Sequence, residues 1–371
     1  MIESLRLVNF KCFRDQALSL RTLTLLSGLN SSGKSTILQS LLLLRQSHQE
    51  GLLTDVALAL NGKLVQLGTA RDVLFEEADE DELAFEVGDD QLGRFQFRFS
   101  YQEHSDVLAA LTGEWSREIW RASLFTDDFQ YLRAERIGPR TSFAMSEYEV
   151  RHHRQLGSGG EYTVHFLSIF GARPVHPALL HPSATSKTLH AQTEAWMREI
   201  SPGMRLSLER HAEMDLMTFG VSYSLGHQVS SSEYRPTNVG FGVTYALPVV
   251  VSILSAQPGS LVLLENPEAH LHPSGQVKMG ELIALAAAAG VQVIVETHSD
   301  HVLNGIRVAA RDRKLKPSQI ALYHSVWGGG ASSPTLTLIE TDERGRLSQW
   351  PEGFFDQIER SLDQLLVDGT D

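Results

Sequence analysis

The sequence is poor in cysteine, since Cys12 is the single example among 371 residues. One cysteine excludes an intramolecular disulfide framework, and it excludes an internal CxxC zinc hook of the kind that joins long coiled coils. A chain without disulfides suits a reducing compartment, and we therefore expect a cytoplasmic protein.

Long apolar runs and net positive charge are also missing. The most apolar stretch covers residues 245–256, well short of the ~20 residues that a membrane-spanning helix needs, so no membrane insertion is expected. The first residues, MIESLRLVNFKCF, do not resemble a signal peptide. Acidic residues outnumber basic ones by 45 to 32, which gives a formal net charge of −13. This balance excludes a uniformly basic surface for nucleic acid.

What remains is an ordinary globular composition, with 42% hydrophobic and 21% charged residues. Such a chain buries a large core and fits one elaborated domain or two lobes. We expect an N-terminal lobe over 1–101, an inserted lid or arm over 102–234, and a C-terminal lobe over 235–371.

Hydrophobic patterns predict an α/β fold. Residues 17–27 are strand-like, residues 35–46 have a leucine-rich helical pattern, and alternation within 83–101 predicts antiparallel strands. The apolar runs 261–265 and 291–296 are typical of buried parallel strands, and an alanine-rich helix over 277–289 separates them. This strand, helix, strand order predicts a parallel sheet at the core.

A glycine-rich loop follows the strand-like segment and fits the pattern GxxxxGK[ST] without a mismatch. Glycines let the backbone curl so that its amides face phosphates, and the N-terminus of the following helix adds positive potential. Lys34 is expected to contact the β- and γ-phosphates of ATP, and Ser35 to bind Mg²⁺. A plain glycine turn capped by Ser32 or Ser35 is the alternative. The predicted nucleotide-binding residues here are Gly28, Asn30, Ser31, Ser32, Gly33, Lys34, Ser35 and Thr36.

Magnesium at a nucleotide also needs a carboxylate at the tip of a neighbouring strand, because it takes oxygen ligands and keeps several waters. Glu265 ends the first apolar run and meets this need. The following segment contains His270 and His272, whose spacing invites a zinc interpretation with Glu268 as a third ligand. Zinc needs three or four ligands in fixed geometry, and no second cluster is evident in the sequence.

With ENPEAHLHP at 265–273 and ETHSD at 296–300, the chain resembles the ABC-type ATPases of the SMC, RecF and OLD branch. Within that branch it is most similar to bacterial AAA/ABC-type ATPases of unknown function that carry both motifs. The resemblance implies a P-loop NTPase of the ABC/SMC head type, with a mainly parallel core sheet and an antiparallel N-terminal sheet. It also implies that Glu265 is the Walker B acid, which holds Mg²⁺ through water, and that His298 contacts the γ-phosphate.

The resemblance also points to a departure at the catalytic position. Most relatives place a glutamate at the position of Asn266 to activate the attacking water, and asparagine cannot take a proton. Glu268 can accept the proton of the attacking water if the loop turns its side chain inward. Alternatively, Glu268 only stabilises the loop. The catalytic candidates are therefore Glu268, Asn266 and His298, and slow or partner-activated hydrolysis is expected.

A third element, NVGFGVT at 238–244, precedes an apolar helix and is similar to the signature of this branch, which departs from the transporter form LSGGQ. Its candidate nucleotide-binding residues are Asn238, Gly240 and Gly242, which in the family contact the nucleotide held by the other subunit. A plain glycine turn before a core helix is the alternative. Arg136 and Arg140 are interpreted as partners of phosphate or of acidic groups across a dimer, or as part of a surface salt-bridge network.

Together these features predict a homodimer, with higher order left open, that closes around two Mg-ATP molecules and gates a separate effector protein. Relatives of this kind act in DNA repair and in defence against phage. The chain shows no nuclease motif, and DNA contact is a weaker hypothesis that rests on Arg151 and Arg154. The alternatives are an ATP sensor that does not hydrolyse its ligand and, less favoured, the ATPase of an ABC transporter.

Overall fold

The computed structural model describes residues 1–54, 56–111, 115–224 and 231–366. The strands are β1 (Ile2–Phe10), β2 (Phe13–Ser19), β3 (Leu23–Gly28), β4 (Ala57–Ala59), β5 (Glu82–Asp89), β6 (Gly93–Ser100), β7 (Val107–Ala109), β8 (Phe129–Leu132), β9 (Phe143–Ala144), β10 (Met204–His211), β11 (Leu216–Tyr223), β12 (Leu261–Glu265), β13 (Gln292–Glu296), β14 (Ile320–Val326) and β15 (Thr335–Ile339). The helices are α1 (Lys34–Gln49), α2 (Ala70–Val73), α3 (Thr163–Phe170), α4 (Leu189–Ile200), α5 (Phe241–Ser255), α6 (Pro273–Ala288), α7 (Asp300–Arg311) and α8 (Gln357–Leu366).

A six-stranded sheet forms the centre, in the order β15, β14, β3, β13, β12, β8. The five strands from β14 to β8 are parallel, and β15 pairs with β14 in the antiparallel sense. The strands β12 and β13 are almost wholly buried, as their continuous apolar runs predict. Helix α6 connects these two strands, so the predicted strand, helix, strand unit and the parallel core sheet are confirmed.

A second, antiparallel sheet has the order β2, β1, β5, β6 and lies at the N-terminal end of the chain. The segment predicted as one strand over 17–27 is two strands, since β2 ends at Ser19 and β3 begins at Leu23. The chain leaves the antiparallel sheet and enters the core sheet between them. Within 17–27, leucine recurs with serine or threonine on both sides of the break, so composition alone does not reveal it.

The middle of the chain joins the same core. Strand β8 forms an edge of the central sheet, while β9, β10 and β11 form a separate three-stranded sheet. Helices α3 and α4 pack against α5 and α6 in one hydrophobic cluster that includes Phe166, Trp196, Val250 and Ile283. The range 102–234, interpreted from sequence as a lid or arm, thus supplies a core strand and shares the core packing.

Two helices begin earlier than their sequence patterns predict. Helix α5 starts at Phe241 and so includes most of the glycine-containing segment before the apolar run, and α6 starts at Pro273. The His272 side chain caps α6, because its Nδ1 accepts a hydrogen bond from the Ser274 amide at 3.3 Å. Across the described ranges, no helix is long and apolar enough to cross a membrane.

Candidate functional site

The glycine-rich loop lies between the end of β3 and the start of α1. Gly28 and Gly33 have φ values of 139° and 90°, which favour glycine. A Cβ on Gly28 would lie 2.3 Å from the Ser325 carbonyl oxygen, and one on Gly33 would lie 2.6 Å from Cζ of Phe13. No side chain caps the N-terminus of α1. Its amides therefore remain available to an anion.

Lys34 lies inside this loop and is only 3% exposed. Its Nζ donates hydrogen bonds to the carbonyls of Gly28 at 3.0 Å and Leu29 at 2.7 Å. Burial lowers the pKa of Lys34, and the nearby Glu296 carboxylate opposes that shift. In the described part of the chain the buried Ser32 Oγ has no hydrogen-bond partner. A buried cation, an unpartnered hydroxyl and uncapped amides together fit a phosphate chain.

Residues from β14 and its extension hold the loop from outside. The Ser325 hydroxyl donates to the Ser32 carbonyl, and Nε1 of Trp327 donates to the Ser31 carbonyl at 2.9 Å. Asn30 and Ser31 are exposed at the turn of the loop. Thr36, by contrast, is buried in the first turn of α1. The curled shape is thus fixed by the fold before any ligand binds.

Two carboxylates end neighbouring strands beside the loop. Glu265 and Glu296 are register partners at the ends of β12 and β13. The Glu265 carboxylate accepts hydrogen bonds from the Tyr131 hydroxyl and the Ala134 amide, both at 2.9 Å. These partners lie on and after the edge strand β8, on the side away from β13.

The carboxylate that contacts Ser35 is Glu296. The Ser35 hydroxyl donates to Glu296 at 2.9 and 3.1 Å, and Nζ of Lys34 lies 3.9 Å away from it. Burial raises the pKa of Glu296, and the neighbouring Glu265 adds to the shift. The sequence pattern assigns Ser35 and Glu265 to the metal and gives Glu296 no role. The signal for Glu296 is a carboxylate at the end of a buried strand, directly before Thr297 and His298.

Two strand-end carboxylates and a serine hydroxyl fit magnesium, which in nucleotide sites takes one or two carboxylates together with phosphates and waters. No group of three or more His, Cys, Asp or Glu side chains suited to a metal is found in the residues that the structure describes. His272 is occupied as the helix cap, and the ring of His270 lies 4.4 Å from that of Tyr245. Both histidines therefore make contacts within the chain.

The loop after β12 brings two catalytic candidates together. The Glu268 carboxylate accepts a hydrogen bond from the His298 backbone amide at 2.9 Å, which places this acid beside the histidine. Desolvation and the neighbouring Lys34 lower the pKa of His298, while Glu268 opposes that shift, so the ring is neutral near pH 7. Asn266 has a backbone φ of 44°, and its backbone N–H donates a hydrogen bond to the Glu296 carbonyl oxygen at 2.8 Å.

Two polar atoms of this loop have unmet hydrogen-bonding capacity. Among the described residues, Oδ1 of Asn266 and Oε2 of Glu268 are buried without a partner. Such atoms are costly unless a ligand, water or protein group satisfies them. The loop therefore has acceptors in place for an additional donor beside His298.

The signature-like segment forms the exposed N-terminus of α5. Asn238 ends a short 3₁₀ turn and Gly240 precedes the helix without a side-chain cap. A Cβ on Gly242 would lie 2.8 Å from the His270 carbonyl oxygen, so this glycine permits close packing against the loop after β12. Phe241 is 56% exposed. The segment thus presents helix amides and an aromatic ring on the surface.

Arg136 has a structural role in place of the predicted contact with phosphate or with acids across a dimer. It is 2% exposed, and burial lowers its pKa to about 10, which leaves it charged near pH 7. Its donors are occupied by backbone carbonyls at 2.6 to 3.1 Å. These carbonyls belong to Arg133, Tyr245, Glu265 and Asn266. Arg136 thereby ties the end of β12 to α5.

The basic segment proposed for DNA contact is matched by acidic side chains. Arg151 pairs with Glu147, and Nη1 of Arg154 lies 4.0 Å from Oδ1 of Asp128. His153 lies 3.1 Å from Asp127 through its Nδ1 atom. Paired charges of this kind leave little positive potential to attract a nucleic acid backbone. The structure therefore does not favour this segment as a DNA-binding surface.

A cleft of about 620 Å³ opens beside the start of the phosphate loop. Gly28, Asn30 and His298 line one side, and the C-terminal segment 352–357 lines another. Phe354 is fully buried there, with its ring centroid 5.2 Å from that of His324. The C-terminal segment is therefore part of the wall around the loop.

Comparisons with known proteins agree with this geometry. Residues 1–132 match a family model described as an AAA ATPase domain, and residues 209–304 match one described as "AAA domain, putative AbiEii toxin, Type IV TA system". Residues 315–365 match a family of unknown function. No curated protein matches the chain.

Solved SMC heads share the fold. An SMC head bound to the C-winged helix domain of ScpA is 13% identical, with a TM-score of 0.56 over 91% of this chain and 97% of that one. A head with an extended coiled coil, bound to the C-terminal domain of ScpA derived from Pyrococcus furiosus, is 11% identical. Its TM-score is 0.53 over 98% of this chain and 99% of that one. The predicted fold class is thereby confirmed.

Proposed function

We propose that this chain, an ATP-binding ABC-class ATPase of the SMC/RecF/OLD-like head type, closes with a second copy of itself around two Mg-ATP molecules. The observation that carries the proposal is that two helices begin without a side-chain cap, and we assign each start to one half of a shared site. One half is the loop with buried Lys34 and the uncapped helix α1. The other is the exposed, uncapped start of α5 with Gly240 and Phe241. Each half offers helix amides to phosphate, and a partner supplies the missing half.

Within one chain the roles follow from position. Loop amides and Lys34 bind the phosphates, and the Ser35 hydroxyl and Glu265 hold the metal, Glu265 through water. Magnesium, when bound, neutralises phosphate charge. Gly240 and Gly242, with Asn238, meet the γ-phosphate of the nucleotide held by the partner, and His298 meets the γ-phosphate on its own side.

Hydrolysis is assigned to Glu268 as the base that accepts a proton from the attacking water. Its carboxylate lies against the His298 amide, and one of its oxygens is buried without a partner. Asn266 occupies the position where relatives use glutamate and contributes orientation without taking a proton. We therefore propose slow turnover that a partner accelerates.

Ligand binding supplies the driving force for closure. If the closed dimer binds ATP ~100-fold more tightly than the open form, the balance shifts by about 2.7 kcal/mol, which is enough for a switch. A cytoplasmic effector protein is the proposed recipient of this motion, in a process such as phage defence or DNA repair. The ScpA-bound SMC heads support the idea that a head of this fold docks a separate protein.

Replacing Glu268 by glutamine is expected to keep ATP binding and to accumulate a closed dimer, since the amide cannot accept the proton. Light scattering with Mg-ATP should give a mass of twice the 41.1 kDa chain. The matched control is Glu343→Gln, on an exposed glutamate that is not among the site residues. A variant that binds ATP yet stays monomeric at all concentrations would contradict the sandwich.

A sensor that binds ATP without turnover is the second candidate function, and Asn266 is the feature that favours it. Phosphate release from the purified protein separates the two, because a sensor releases none above the Lys34→Ala background. A transporter ATPase is less favoured because the signature segment is not LSGGQ. Co-purification with a membrane subunit would support it.

A further inference from the structure

Glu296 combines three properties that the proposed roles leave unused. It is 6% exposed, it accepts the Ser35 hydroxyl hydrogen with both carboxylate oxygens, and its nearest cation is Lys34 at 3.9 Å. A buried carboxylate whose ion pair with Lys34 spans 3.9 Å is stabilised further when a stronger positive charge lies beside it. Its position is therefore one where a cation is favoured.

The partners of the two strand-end acids differ. Both oxygens of Glu265 are held from the β8 side, by the Tyr131 hydroxyl and the Ala134 amide. Glu296 faces the first turn of α1, where Ser35 is the only side chain among the described residues that donates a hydrogen bond to it. Since β13 lies between β12 and β3 in the sheet, Glu296 ends the strand directly beside the one that leads into the loop.

We propose that Glu296, which accepts the Ser35 hydroxyl hydrogen bond, is a second carboxylate of the metal-nucleotide site and would bind the divalent cation when the nucleotide is present. The inference rests on the proposed function of the loop. It adds a residue from the β13 end to a site that sequence reasoning built from Ser35 and Glu265. It also adds a consequence: without a cation, the buried negative charge of Glu296 repels the phosphates.

This arrangement makes nucleotide binding depend on the cation. In the absence of metal, Lys34 at 3.9 Å offsets the charge of Glu296 only in part, and the remaining like charge weakens binding of the phosphates. With metal, the same charge would favour binding, because Glu296 would help to hold the cation that neutralises the phosphates. The ratio of affinities with and without metal is therefore the quantity that Glu296 sets.

The test compares the wild type with Glu296→Gln, whose amide oxygen still accepts the Ser35 hydrogen bond. A fluorescent, slowly hydrolysed ATP analogue is titrated in Mg²⁺ and in EDTA. For the variant we expect affinity in Mg²⁺ to fall by about 10- to 100-fold, as for other groups that support a bound metal. The affinity of the variant in EDTA should be unchanged or higher than that of the wild type. The ratio of nucleotide affinities with and without Mg²⁺ should therefore fall. The surface variant Glu343→Gln should retain the wild-type ratio.

A second readout follows the metal itself. Electron paramagnetic resonance of Mn²⁺ with the same analogue should show weaker manganese binding in Glu296→Gln than in the wild type. Glu296→Asp, which keeps the charge but shortens the side chain, replaces it if the glutamine variant does not fold, and it should also reduce the ratio. An unchanged affinity ratio together with unchanged manganese binding would overturn the inference. A wild type that binds no nucleotide would instead overturn the proposed function.

Discussion

Replacing Lys34 by alanine should weaken Mg-ATP binding by about 100-fold or more, because a charge-assisted contact to the phosphates is lost from a buried position. The Lys34 ammonium is already inside the loop, where it donates to the Gly28 and Leu29 carbonyls. Removing it also leaves Glu296 without its nearest cation. Calorimetric titration of the purified variant with a slowly hydrolysed ATP analogue measures the loss.

The control for this experiment is Lys63→Ala, on a lysine whose side chain is 82% exposed and pairs with Glu149. This variant should bind the analogue as the wild type does, since surface ion pairs contribute little. Circular dichroism of both variants should match the wild type. Normal nucleotide affinity in the folded Lys34→Ala variant would mean that the phosphates lie elsewhere.

Replacing Arg136 by leucine should lower the free energy of unfolding by about 3 to 5 kcal/mol, the range for removing one partner from a buried charged network. Four backbone carbonyls lose their donor, and two of them belong to Glu265 and Asn266 at the end of β12. Leucine fills part of the volume but offers no hydrogen bond. Equilibrium unfolding in urea or guanidinium chloride gives the value.

Arg140→Leu provides the comparison, because Arg140 is exposed on the same loop. Its effect on unfolding should stay within about 0.5 kcal/mol, as for most surface substitutions. If Arg136→Leu were as stable as Arg140→Leu, the buried arginine would not be the tie between β12 and α5.

Several elements could be predicted from sequence because a single physical pattern determines them. The loop at 28–35 has glycines where the backbone needs positive φ, and α1 follows with a continuous leucine-rich pattern. The strands β12 and β13 are buried on both faces, so they read as unbroken apolar runs. Local sequence patterns were therefore sufficient to predict the loop, α1, β12 and β13.

Other features depend on partners far apart in the chain and leave no local signal. The break between β2 and β3 depends on which sheet each segment joins. Strand β8 has only four residues, and its place at the edge of the core sheet is set by pairing with β12, more than 120 residues later. Arg136 looks like a surface arginine in sequence, because its acceptors are backbone carbonyls from separate elements.

The acid that contacts Ser35 is the clearest example of a feature that depends on distant partners. The family motif points to Glu265, and the structure places this acid at the end of β12, one strand further from the loop than Glu296. The direct contact with Ser35 is made by Glu296, because β13 lies between β12 and β3. Only strand order, which a single sequence does not determine, decides which carboxylate comes closest.

The central claim is that one magnesium-bound triphosphate lies between the loop at 28–35 and the acids at the ends of β12 and β13. A crystal structure of the protein with a slowly hydrolysed ATP analogue and Mn²⁺ tests it most directly, since the manganese position can be identified by its anomalous scattering. We predict phosphates along the loop amides and manganese beside Ser35, facing Glu265 and Glu296. Nucleotide bound at another surface, or a metal far from Ser35, would contradict the account.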